Sequence, residues 1–163
     1  MNKKDTVVFD LDGTLLDTLE DLKNSVNYAM KKFGYPEHTL DEVRRYVGNG
    51  ILLLMQRAIP EGKNAPNFEE AFATFKEHYG KHCNDTTRPY DGIMELLHTL
   101  KENNIKIAIV SNKADFAVKE LNAIYFKDLI PVAIGEKESE GIRKKPAPDT
   151  VIEALKQLGS TAE

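Results

Sequence analysis

The stretch VVFDLDGT at residues 7–14 most strongly constrains how this chain can fold. Valine and phenylalanine favour an extended strand, and Gly13 permits a sharp turn out of it. Within a strand, Asp10 and Asp12 point to the same side, with Leu11 opposite them. Two carboxylates on one side of a strand end indicate either a site for a hard cation or a nucleophile–acid pair.

Strand and helix patterns alternate through the second half of the chain. An almost unbroken apolar run over residues 105–110 is typical of a strand covered on both faces, and residues 130–134 predict another strand. Because helical periodicity links these strands, we predict an α/β fold, a Rossmann-like parallel sheet with helices on both faces. Such sheets bind ligands beyond the carboxyl ends of their strands.

Residues 19–83 carry helical patterns alone. The apolar residues Leu22, Val26, Ala29 and Phe33 recur at helical spacing, and Gly34 ends this first helix. We therefore predict a discontinuous α/β core domain of residues 1–16 and 87–163. An all-helical cap domain, residues 17–86, is inserted after the first strand.

Composition narrows the classes of partner. The 163 residues are 41% hydrophobic and 29% charged, as in globular domains. A net charge of -4 gives no electrostatic reason to expect nucleic acid, and no apolar run is long enough to span a membrane. The single cysteine, Cys83, fits a reducing compartment, and no signal-peptide pattern follows the N-terminal lysines. We therefore expect a cytoplasmic location.

Three other positions suggest chemistry, each with a simpler alternative. Ser111 and Asn112 follow the apolar run, where a hydroxyl and the N–H groups of a turn entering a helix suit phosphate oxygens; Ser111 as a plain helix cap is the alternative. Lys145 could neutralise phosphate charge, whereas three adjacent cations are usually a solvated loop. His78 and His82 stand four apart near Cys83, but two histidines and a thiol do not make a zinc site.

Taken together, these motifs resemble those of the haloacid dehalogenase-like phosphatases. The first strand with D-x-D-G-T-L matches the first motif, the apolar strand followed by Ser111 the second, and K-P-x-P-D from Lys145 the third. The resemblance implies that Asp10 is a nucleophile forming an aspartyl phosphate and that Asp12 is the acid–base. It also implies that Ser111 and Lys145 are catalytic, and that Asp10 and Asp12 hold Mg²⁺. The implied substrate contacts in the core are Gly13, Thr14 and Asn112.

The helical block adds a second resemblance. The segments YVGNG at residues 46–50 and PYDGI at residues 89–93 look like those of the phosphoglycolate phosphatase branch. This implies substrate contacts at Gly48, Asn49 and Gly50, although a tight helix–helix corner would need the same glycines.

The resemblance implies Mg²⁺-dependent hydrolysis of small phosphate monoesters, with 2-phosphoglycolate as the leading substrate. The expected partner is this small-molecule phosphate ester, and a homodimer is compatible with the sequence. A related pyrophosphatase, a sugar-phosphate mutase, and a non-catalytic binding or regulatory protein stay open.

The fourth motif of these phosphatases, a strand ending in G-D-x with another acid, does not occur in residues 1–163. In the family it supplies a magnesium ligand and a strand beside the first one. We therefore expect the C-terminal strands of the core to be missing and the first strand to form an exposed edge. For a polypeptide ending at Glu163 we expect weak metal binding and little turnover.

Overall fold

A computed structural model describes residues 4–162, so residues 1–3 and 163 of the predicted core domain lie outside the described part. The strands, in chain order, are β1 (Thr6–Phe9), β2 (Leu16–Asp17), β3 (Arg88–Pro89), β4 (Lys106–Ala114) and β5 (Val132–Glu136). The helices are α1 (Leu19–Phe33), α2 (Leu40–Tyr46), α3 (Ile51–Ala58), α4 (Phe68–His82), α5 (Ile93–Glu102), α6 (Asp115–Tyr125) and α7 (Asp149–Leu158). Short 3₁₀ turns occur at Gly62–Asn64 and Glu138–Glu140.

Two compact units divide the chain. One joins Met1–Leu16 with Pro89–Glu163, and the other is Asp17–Arg88. The return boundary therefore lies two residues later than the predicted one, between residues 86 and 87. The reason is local, because Thr86 and Thr87 donate backbone and hydroxyl hydrogen bonds to the buried carboxylate of Asp21 in α1, at 2.8–3.0 Å. Both threonines therefore belong to the helical unit.

The first unit contains a parallel three-stranded sheet in the order β1-β4-β5. Phe9 lies opposite Ile109, and Val110 lies opposite Ile134, so the carboxyl ends of the three strands meet at one edge. In the described residues β1 pairs with β4 alone within this sheet, and it is therefore an edge strand, as the sequence predicts.

Both faces of β4 are covered by helices, which confirms the predicted layering. Ile107 and Ile109 pack with apolar residues of α5 and α6. Ala108 and Val110 face the other way, towards Ala154 of α7. Alternate residues of one strand thus reach two separate apolar clusters, the arrangement expected of a central parallel strand.

Two strand ends differ from the sequence prediction. The strand β4 runs on to Ala114, well past the predicted end at residue 110, with a register shift between Val110 and Ala114. The strand β5 begins at Val132 instead of Ile130, since Pro131 has no N–H to give to a ladder.

The helical unit contains α1 to α4 around its own core. Buried side chains from all four helices form one apolar cluster, among them Val26, Val43, Met55 and Phe75. Gly34, with φ of 72°, ends α1, and a capping box between Thr39 and Glu42 starts α2. No helix within residues 4–162 is long and apolar enough to cross a membrane.

Candidate active site

Asp10 directly follows β1, and its carboxylate is paired with a lysine from a distant loop. The Lys145 Nζ lies 3.0 Å from Asp10 Oδ1 and also donates to the Val110 carbonyl at 2.9 Å. The backbone N–H of Leu11 donates to the same Asp10 oxygen at 2.8 Å. The Asp10 side chain remains 44% exposed and that of Lys145 30% exposed, so an incoming ligand can reach both. One ammonium group therefore bridges the Asp10 carboxylate, which follows β1, and the Val110 carbonyl within β4.

Two clamps hold the loop that carries Lys145. The Asn112 side chain accepts a hydrogen bond from the Lys145 N–H at 2.9 Å and donates one to the Lys145 carbonyl at 3.1 Å. Arg143 donates through Nε and Nη2 to Asp149 at 2.9 and 2.8 Å, and these hydrogen bonds lower the pKa of Asp149. The neighbouring Lys144 pairs with Glu138 at 3.2 Å, away from Asp10. The loop therefore presents Lys145, and not Lys144, to the carboxylate.

Asp12 lies in a tight turn after β1. The Leu11 carbonyl accepts hydrogen bonds from the N–H groups of residues 14, 15 and 16, at 3.0–3.2 Å. Gly13 has φ of 76°, a left-handed backbone conformation that residues with a Cβ rarely adopt. Gly13 and Thr14 are exposed at this turn. Their position beside Asp10 and Asp12 is compatible with the predicted substrate contacts, which stay predictions.

A second lysine, which no sequence motif singles out, contacts Asp12. The Lys113 Nζ donates to Asp12 Oδ1 at 3.0 Å, and the Lys113 side chain is only 2% exposed. The one available signal was its place in S-N-K after the apolar run. That signal is weak, because lysines beside a strand end are usually solvated.

Ser111 is placed differently from the turn that the sequence predicts. It is buried within the extended β4, and its Oγ accepts a hydrogen bond from the Lys113 N–H at 3.2 Å. Because α6 begins at Asp115 and follows Ala114, the alternative of Ser111 as a helix cap is wrong. The Asn112 side chain is hydrogen-bonded to the Lys145 backbone. The predicted contact between Asn112 and substrate would therefore be made by the Asn112 backbone N–H.

The three cap residues lie between α2 and α3, in the helical unit. Gly48 and Gly50 have φ of 109° and 91°, and Asn49 is exposed. The Arg57 guanidinium donates to Asn49 Oδ1 at 3.0 Å and to the Tyr46 carbonyl at 2.7 Å, which fixes the loop to α3. A tight helix–helix corner and a substrate-binding loop with exposed N–H groups would both show this geometry, so the predicted substrate contacts here stay predictions.

The described side chains offer a partial metal site. Asp10 and Asp12 bring two carboxylates to one edge of the sheet, and within residues 4–162 no cluster of three or more His, Cys, Asp or Glu could hold a metal. Mg²⁺ prefers oxygen ligands, commonly one or two carboxylates with water and substrate phosphate, so the Asp10 carboxylate and the Asp12 backbone carbonyl fit this ion as partial ligands. The rings of His78 and His82 instead stack 4.3 Å apart.

Comparison with known proteins identifies the family. Residues 7–163 match the haloacid dehalogenase-like hydrolases. The chain belongs to that family, on its phosphoglycolate phosphatase-like branch. A phosphoglycolate phosphatase of Thiobacillus denitrificans is 32% identical over 158 residues, covering 94% of this chain and 69% of that protein. The phosphoglycolate phosphatase of Aquifex aeolicus is 33% identical over 161 residues, covering 96% and 71%.

Solved structures agree with this family assignment. A crystal structure from Lactobacillus delbrueckii subsp. bulgaricus superposes with a TM-score of 0.90 at 33% identity, covering 98% of this chain and 75% of that chain. A predicted phosphoglycolate phosphatase from Haemophilus somnus superposes with a TM-score of 0.87 at 27% identity, covering 98% and 74%. The fold of this haloacid dehalogenase-like chain is therefore shared along nearly its whole length.

Proposed function

We propose that this protein is a Mg²⁺-dependent phosphatase of small organic phosphate monoesters, with 2-phosphoglycolate as the leading substrate. The observation that carries the proposal is the accessible Asp10 carboxylate with the Lys145 ammonium 3.0 Å away. Both groups lie at the carboxyl edge of a parallel sheet, where such folds bind ligands. The relatives from Thiobacillus denitrificans and Aquifex aeolicus are both named phosphoglycolate phosphatase, which supports the substrate class.

The proposed reaction has two displacements. In the first, an Asp10 oxygen attacks phosphorus and the bond to the ester oxygen breaks, while Asp12 gives its proton to that leaving oxygen. In the second, Asp12 removes a proton from water, the water oxygen attacks phosphorus, and the bond to Asp10 breaks. Lys145 stabilises the negative charge around phosphorus in both steps. Phosphate and the alcohol are released, and Asp10 and Asp12 return to their starting states.

Bound Mg²⁺ would be held by the Asp10 carboxylate and the Asp12 backbone carbonyl, and it would neutralise charge on the phosphoryl oxygens. Ser111 and the turn at Gly13 and Thr14 would supply donors to those oxygens. Contacts from Gly48, Asn49 and Gly50 to a substrate carboxylate stay predictions, as do a cap role for the helical unit, a cytoplasmic location and a homodimer.

Phosphate release from a panel of esters tests the proposal. Purified protein with Mg²⁺ is given 2-phosphoglycolate, hexose phosphates and pyrophosphate, and both phosphate and the organic product are measured. We expect 2-phosphoglycolate to be hydrolysed fastest. Isomerised sugar phosphate without phosphate release would favour a mutase, and preferential cleavage of pyrophosphate would favour a pyrophosphatase.

Two adjacent lysines provide a matched control in the same assay. Lys145→Met should lower kcat by roughly 100-fold or more, because it removes the charge beside Asp10. Lys144→Met should keep nearly full activity, since Lys144 pairs with Glu138 instead. Comparing each variant with the unsubstituted protein makes the test independent of the absolute turnover. Equal rates for all three proteins would contradict the proposed role of Lys145.

A further inference from the structure

The buried lysine at position 113 takes no part in the two displacements. Its Nζ lies 3.0 Å from Asp12 Oδ1, with its side chain 2% exposed, whereas the Asp12 side chain is 26% exposed. A buried ammonium group is costly unless an acceptor or an anion lies beside it. Asp12 Oδ1 accepts the Lys113 hydrogen bond whether the carboxyl group is protonated or ionised. Because the lysine side chain is almost completely enclosed, it cannot reach a substrate that approaches from solvent.

We propose that Lys113 is a positioning residue for Asp12, which fixes the carboxyl group where it exchanges protons with the leaving group and then with water. This inference rests on the proposed phosphatase function, because the acid–base role of Asp12 does. When Asp12 gives its proton to the leaving oxygen, the P–O ester bond breaks and Asp12 becomes a carboxylate. The Lys113 ammonium is already beside the oxygen that carries this new charge.

The two lysines of the site therefore have separate tasks. Lys145 is 30% exposed and pairs with Asp10, so its charge acts on the phosphoryl group that Asp10 receives. Lys113 is enclosed and pairs with Asp12, so it acts only through that residue. The two tasks differ in one measurable property, the dependence of the rate on the leaving group.

Proton donation matters for poor leaving groups and little for good ones. An alkoxide, as released from 2-phosphoglycolate, needs a proton as it leaves, whereas 2,4-dinitrophenolate leaves as a stable anion. General acid catalysis contributes about 10²–10⁴-fold where it is needed. Loss of Asp12 positioning should thus slow the first ester far more than the second.

The test compares the single-turnover rates at which the organic products, glycolate and 2,4-dinitrophenolate, are released, because these rates report the first displacement alone. Lys113→Met, which keeps the length but removes the charge, should lower the rate for 2-phosphoglycolate by roughly 100-fold and that for 2,4-dinitrophenyl phosphate by less than about 10-fold. KM for both esters should change little, because Lys113 does not touch substrate. Lys119→Met is the matched control, since Lys119 pairs with Asp115 on the exposed surface of α6, and it should leave both rates unchanged.

Two further variants separate positioning from a structural role. Asp12→Asn with Lys113→Met should be no slower on 2-phosphoglycolate than Asp12→Asn alone, since Lys113 acts through Asp12. Lys113→Arg keeps the charge and should recover part of the rate on 2-phosphoglycolate. If Lys113→Met does not fold, the arginine variant decides, because equal losses on both esters would overturn the inference.

The possible failures are distinguishable. If the unsubstituted protein hydrolyses both esters and folded Lys113→Met loses both rates equally, the inference is wrong while the proposed function stands. Protein in excess over substrate makes even a slow first displacement measurable. If the unsubstituted protein then releases the organic product from neither ester, the proposed function is wrong and the inference is overturned with it.

Discussion

Gly135 is the residue at which one absent Cβ lets β5 lie against the strand that carries the site. A Cβ there would lie 2.4 Å from the Asp115 Cα and 2.6 Å from the Lys113 carbonyl oxygen, far below ordinary van der Waals contact. The Gly135 N–H also donates to Asp115 Oδ1 at 2.9 Å. Because the close contacts are to the backbone of Lys113 in β4 and of Asp115 at the start of α6, the chain around Lys113 depends on glycine at this position.

Replacing two glycines by alanine should change stability in opposite directions. Gly135→Ala should lower the free energy of unfolding by about 2 kcal/mol or more, because backbone must shift to admit the methyl group. Gly80→Ala should raise it by about 0.5–1 kcal/mol, because Gly80 lies within α4 with nothing within 4 Å of its added Cβ. Urea denaturation followed by circular dichroism measures both. A Gly135→Ala protein as stable as the unsubstituted one would contradict the close approach.

At the scale of the elements, α1 and α4 are joined by a histidine that is best accommodated uncharged. The His78 Nδ1 is hydrogen-bonded to Ser25 Oγ at 2.9 Å, and its ring stacks between Tyr28 and His82, at 4.2 and 4.3 Å. Burial, followed by the charge of neighbouring His82, lowers the pKa of His78 below its ordinary value of 6.5, although Asp85 acts in the opposite direction. The contact between these two helices is therefore sensitive to pH.

Acidification should weaken the helical unit through His78. As pH falls below 6.5 the unfolded chain takes up a proton at His78 before the folded chain does, so stability falls until the lowered pKa is passed and then levels off. His78→Gln should reduce the loss of stability between pH 7.5 and 5.5, about a unit either side of the ordinary histidine pKa. Urea unfolding at the two pH values measures it. His98→Gln, an exposed position on α5 in the other unit, should leave the pH dependence of the helical unit unchanged.

Across the chain as a whole, local sequence patterns predicted the helices and strands. Contacts between residues far apart in sequence determined the features that the sequence did not predict. Gly34 predicted the end of α1, and the apolar run at residues 105–110 predicted the central strand. The extension of β4 to Ala114 depends on pairing with Glu136 of β5, which no local pattern reveals. The pairing of Asn112 with Lys145 likewise joins residues 33 positions apart. Burial of Lys113 could not be predicted for the same reason.

In the proposed reaction, Asp10 is phosphorylated during turnover. The most direct measurement is mass spectrometry of the protein quenched in acid after mixing with Mg²⁺ and 2,4-dinitrophenyl phosphate, followed by peptide mapping. We expect a mass increase of one phosphoryl group, located on the peptide that contains Asp10 and absent from Asp10→Asn. Release of phosphate without any adduct on Asp10, or undiminished release by Asp10→Asn, would contradict the phosphorylation of Asp10.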